Sequence, residues 1–145
     1  MRLGTLNQSL AAQFSDAADL AQARHQFEII FRFCAGRIDR RWFQRLGDNE
    51  LATALQSGTG LPGRDFSKIA EDLDGSYFDA EDAGNNDDAQ LYFSLARLAS
   101  AIAFALSASS PAGYAEAAYE ALMAMPNPDE MAQAVQGLPD WPVRS

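Results

Sequence analysis

Histidine and cysteine each occur once in this chain, at His25 and Cys34. A lone thiol excludes an intrachain disulfide and fits a reducing compartment. On one helix the two side chains would stand about 13 Å apart on different turns, too far for a nucleophile–base pair. Neither has the neighbours of a zinc site, and Cys34 reads as a small core residue. The usual devices of enzymes are missing as well: no Gly-x-Ser-x-Gly elbow, no Walker loop and no His-Glu-x-x-His. Gly58-Thr59-Gly60-Leu61-Pro62-Gly63 has no lysine behind its glycines and reads as a turn. No segment alternates apolar and polar residues as a strand would. The start, Met1 to Gln8, lacks the apolar core of a secretory signal. The longest apolar run, Leu98–Leu106, is broken by Ser100 and is too short to span a bilayer. Positive charge is scarce: 11 Lys and Arg stand against 20 Asp and Glu, a net charge of −9. That balance disfavours duplex nucleic acid, which is gripped by neutralising phosphates, and docking on an anionic membrane. The expectation is a cytoplasmic protein with no catalytic residues and no cofactor.

What is present is enough for one folded domain, residues 1–145. Hydrophobic residues make up 48% of the chain and aromatics 10%, and a chain of this length buries roughly 68–70% of its unfolded surface. Helical spacing dominates. Leu3, Leu6, Leu10 and Phe14 suit a short amphipathic helix, after which Ser15 or Asp16 can cap a longer one. On that one Leu20, Phe27, Ile30, Phe31, Cys34, Ile38 and Trp42 share a face. Ala35-Gly36 is a place to kink or split it, and Gly47 a place to end it. Asp48 or Asn49 starts a short helix closed by Gly58. Asp65 caps a brief helix carrying Phe66, Ile69 and Leu73. Asp87 or Asp88 caps a strong one, Ala89 to about Ala108. Ser110-Pro111 and Asn127-Pro128 each pair an N-cap with proline at the first helical position, opening helices that run to Met125 and to just before Gly137. The tail, residues 138–145, reads as extended and proline-rich, with Trp141 pinned on the body. The predicted fold is all-α: a compact bundle of six or seven helices with a long acidic loop near the middle.

That loop is the strongest feature. Eight carboxylates fall between Glu71 and Asp88 with no Lys or Arg among them. So many like charges cannot leave water without partners, so the segment reads as an exposed anionic surface between two helical regions. A calcium loop beginning at Asp79 would have Glu81 at its third position and Gly84 at its sixth. Ala83 and Gln90 would fill positions five and twelve, where oxygen ligands are required, so a solvated acidic surface is the better reading. The opposite charge gathers elsewhere. Arg24, Arg32, Arg37, Arg40, Arg41 and Arg45 against Glu28 and Asp39 make residues 24–45 net +4. Arg37, Arg40, Arg41 and Arg45 have the spacing of a basic stripe, either paired internally with the acidic segment or offered to phosphate or RNA. Of Tyr92, Phe93, Tyr114 and Tyr119 most read as core, with a Tyr hydroxyl able to reach a surface groove; Met123, Met125 and Met131 read as packing and could alternatively form a contact patch.

Three features together resemble a small bacterial helical family catalogued as domain of unknown function 416. They are Phe31-Arg32-Phe33-Cys34-Ala35-Gly36-Arg37 leading to Trp42-Phe43, the Asp-rich connection from Asp72 to Asp88, and the aromatic-then-alanine run from Tyr92 to Ala103. The match spans roughly residues 20–125; it implies a helical fold and no catalytic residues. In size, acidity and helical character the chain is also similar to immunity proteins, which neutralise bacterial toxins by binding them. The functional expectation is a non-enzymatic protein-binding module, an immunity protein meeting a basic toxin domain through Asp72, Asp74, Asp79, Glu81, Asp82, Asp87 and Asp88. A carboxylate cluster holding a divalent cation and a helical oligomerisation module are the alternatives.

Overall fold

The computed structural model describes residues 1–142; the last three positions of the predicted tail lie outside the described residues. Among the described residues there are nine helices and no strand. The all-α expectation holds, but the helix count exceeds six or seven because polar residues cut two predicted helices. Asn7 is extended and its side chain accepts from the Leu10 amide, which separates α1 (Leu3–Leu6) from α2 (Gln8–Ser15). Gly36 ends α3 (Leu20–Ala35), and Asp39 starts α4 (Arg40–Gln44) by accepting from the Arg41 amide. The cap of α3 is Asp19 rather than Ser15 or Asp16.

Several boundaries fall where local chemistry puts them. Asp48 caps α5 (Asn49–Ser57), and Gly58 closes it at φ 79°. In that left-handed conformation a Cβ would meet the Phe31 ring at 2.8 Å, so glycine is required twice over. Ser110 caps α8 (Pro111–Met123) by accepting from the Gly113 amide. α9 (Pro128–Val135) begins at Asn127, whose side chain donates to Glu130.

The acidic stretch departs furthest from expectation. It is not a loop. Asp65 caps a 17-residue helix, α6 (Phe66–Asp82), that runs through most of the stretch. A turn of three residues then leads into α7 (Asn86–Ser107), with Gly84 at φ 76° and the Asn85 amide donating to the Ala80 carbonyl. The cap of α7 is Asn85, not Asp87 or Asp88, which stand in its first turn. The helix forms because Phe66, Ile69, Ala70, Leu73, Tyr77 and Ala80 recur at three- and four-residue steps and lie at least half buried. A stripe that narrow leaves the rest of the cylinder for hydrated carboxylates.

α6 lies against α7, α7 against α8, and α8 against α3, with α1, α2 and α9 gathered about one end of α8 and α4 and α5 flanking the other side. α7 runs antiparallel to both α6 and α8: Tyr77 meets Phe93 while Asp74 meets Arg97, and Ser94 meets Ala124 while Arg97 meets Glu120. The core holds Phe14, Phe27, Phe31, Phe43, Phe66, Ile30, Leu95, Leu98 and Ile102, with alanines of α7 and α8 allowing close approach. Trp141 is buried and its indole N–H donates to Gln13 Oε1, so the tail is pinned as predicted as far as the described residues reach. α7 is the one described helix long and apolar enough to cross a bilayer by length and composition. Half of that stretch is buried inside the molecule.

Candidate functional site

The predicted site residues occupy the outer side of the α6–α7 hairpin and its tip. Asp72, Asp79, Glu81, Asp82 and Asp87 are exposed; Asp74 and Asp88 are half buried. Three of the seven are partnered by the molecule's own cations. Asp72 pairs with Lys68 one turn back at 3.1 Å. Asp74 pairs with Arg97 of α7 at 3.3 Å. Asp88 receives both terminal nitrogens of Arg45 at 2.9 and 3.2 Å, which ties the end of α4 to the start of α7. Glu81 accepts a hydrogen bond from the Tyr77 hydroxyl at 2.6 Å, and that bond raises the Tyr77 pKa. Asp79, Asp82 and Asp87 have no hydrogen bond or ion pair through their side chains among the described residues. The surface is therefore narrower than predicted: Asp79, Glu81 and Asp82 on the last turn of α6, with Asp87 across the turn.

Those three α6 carboxylates stand where a helix tolerates them least. The C-terminal turn carries the negative end of the helix dipole, and α6 has no basic residue there to offset it. Asp87 and Asp88, in the first turn of α7, meet the favourable end of theirs. Local stability thus accounts for the second pair and opposes the first group.

Sequence reasoning passed over the aromatic at the centre of this surface. Phe78 is 59% exposed, the most exposed aromatic ring among the described residues. Asp74, Glu81 and Asp82 are one turn away on its own helix face, and Asp79 is adjacent. The signal was available as Tyr77-Phe78 inside the acidic run. Which of the two rings would point outward was not. Tyr77 turns in and packs edge-on against Phe93 with ring centroids 5.7 Å apart.

Beneath the hairpin lies a polar network that sequence spacing did not reveal. Glu120 of α8 is only 4% exposed. It accepts from Arg97 at 3.0 Å and from the Ser100 hydroxyl at 2.7 Å, and the Arg2 guanidinium stands 3.5 Å away. Arg2 also pairs with Glu116 at 2.7 Å. Burial pushes the Glu116 pKa up, but the side-chain and backbone donors of Arg2 outweigh it and hold the group below its ordinary value. Arg97 thus joins α6, α7 and α8, and borders an open cleft of about 370 Å³ lined also by Glu71, Asp74, Ser100 and Phe104. The Ser100 hydroxyl in this cleft donates to Glu120, a carboxylate already held by Arg97.

The basic stretch is largely consumed by the fold. Arg24 and Arg32 both reach Glu28, Arg37 lies over the Phe33 ring, Arg41 clasps Asp39, and Arg45 binds Asp88 while covering Trp42. The predicted internal pairing with the acidic segment is made by Arg45 alone among these six. The Arg41 side chain and amide hold the Asp39 carboxyl down at about 2. Cys34 is buried, and burial lifts its thiol to about 12, so it is an unreactive core residue at neutral pH. His25 lies exposed on the same helix.

A calcium loop beginning at Asp79 does not exist, because Asp79 through Asp82 are helical and cannot wrap an ion. Among the described residues no three acidic, histidine or cysteine side chains gather round a point where a metal ion could sit. No family model, characterised protein or solved structure matches the chain.

Proposed function

We propose that this protein is a non-enzymatic binding module that docks a basic protein surface on the outer face and tip of the α6–α7 hairpin. The observation that carries the reading is the placing of Asp79, Glu81 and Asp82. They are exposed, have no cation paired with them among the described residues and sit at the end of α6 where they lower helix stability. A partner with positive charge relieves that cost, and the net charge of −9 draws it in. The concrete form is a cytoplasmic immunity protein that blocks a basic toxin domain by covering it, which requires complementarity and no chemistry.

The test is co-purification from the source cell with the full chain and with the variant D79N/E81Q/D82N, eluting with increasing salt. A basic protein held by the wild type, released by salt and absent from the variant is the expected result. Its toxicity when expressed alone, relieved by co-expression of this chain, gives the immunity form. The same proteins retained by both chains at every salt concentration would remove the surface from consideration.

A further inference from the structure

We infer that the α6 face recognises arginine in particular, with Phe78 as the platform on which a partner's guanidinium stacks. The inference rests on the proposed docking surface and names what that surface selects. Elsewhere in the molecule, five rings that reach the surface carry one of its own guanidiniums, while the half-buried Tyr77 and Tyr92 carry none among the described residues. Arg37 lies over Phe33 at 4.5 Å, Arg45 over Trp42 at 5.0 Å and Arg97 over Phe93 at 5.9 Å. Arg2 serves both Tyr119 at 4.5 Å and Phe104 at 5.8 Å. Phe78 is more exposed than any of them and has no such partner among the described residues. Its surroundings also favour a cation: among the described residues Asp79 and Asp82 are unpaired and Glu81 is bound only to a neutral hydroxyl.

A flat guanidinium can lie on the ring while its edge N–H groups reach the carboxylates one turn away. An ammonium satisfies the carboxylates but stacks poorly. The occupant is therefore a protein segment that presents arginine, not a generic polycation.

Fluorescence anisotropy with labelled oligoarginine and oligolysine peptides of equal length, at low salt, tests this on the full chain. Wild type should prefer oligoarginine by about three- to tenfold. Phe78→Leu keeps apolar bulk and removes the π face; it should retain oligolysine affinity and lose the preference, with helicity by circular dichroism unchanged. An equal preference in Phe78→Leu would overturn the inference while leaving the acidic surface standing. D79N/E81Q/D82N binding both peptides as the wild type does would instead remove the surface itself. A dimer in light scattering that Phe78→Leu dissolves would also overturn it, by giving the face to a second copy of the chain.

Discussion

Residues 24–45 carry a net charge of +4 and residues 71–88 a net charge of −8, and the fold treats the two differently. Five of the six arginines in the first stretch rest on a carboxylate or a ring within the molecule. In the second, among the described residues, Asp79, Asp82 and Asp87 have no side-chain partner and Glu81 meets only a tyrosine. Two long guanidinium arms, Arg45 and Arg97, reach the edges of the acidic surface and hold it to the body. Charge in a sequence is therefore not the same as charge on offer. A basic run can be spent on structure while an acidic run stays available.

Replacing Arg97 with methionine gives the sharpest test of that contrast, because it removes the cation shared by Asp74 and buried Glu120. Arg97 is itself a quarter exposed, and Arg2 and Ser100 still face Glu120. The expected loss in urea unfolding is therefore about 2–3 kcal/mol, below the ~3–5 of a fully enclosed pair. D79N/E81Q/D82N should act in the opposite direction. Relief of the dipole conflict is expected to raise stability by about 1 kcal/mol, seen as a higher denaturant midpoint with an unchanged slope. A destabilised triple variant would mean that these carboxylates are structural after all.

Arg45→Ala should cost little, and less at high salt than at low, since salt screens its pair with Asp88 but not its contact with Trp42; thermal melts at two salt concentrations will show it. Arg41→Ala is expected to leave the fold alone and return the Asp39 titration, followed by NMR, from about 2 towards 3.8. The folded value lies below the unfolded one. The contribution of this pair is therefore present above pH 3.8 and lost as pH falls through about 2.

Much of the fold was legible because helix ends are local events. Ser110-Pro111, Asn127-Pro128, Asp48 and Gly58 each act through groups a few residues away, and each marks the end it was expected to mark. Asn7 and Asp19 were missed because neighbouring polar residues competed for the same role, and which of them is extended depends on how α2 and α3 lie on α8. The site was legible in its charges and illegible in its shape. The density of carboxylates excludes a fully buried element but not a helix, which can bury one stripe and leave the others wet. Phe78, the network about Glu120 and the pairing of Asp74 and Asp88 with arginines 23 and 43 positions away carry no local signal.

The sequence by itself determined an all-helical chain, several of its helix ends and a concentration of negative charge between two apolar segments, because caps, periodicity and ionisation act over a turn or two. Only the tertiary structure decided which carboxylates remain unpaired and which ring faces outward. Those outcomes depend on the rotation of α6 against α7 and on guanidiniums arriving from distant parts of the chain, and packing fixes both only once the core has closed.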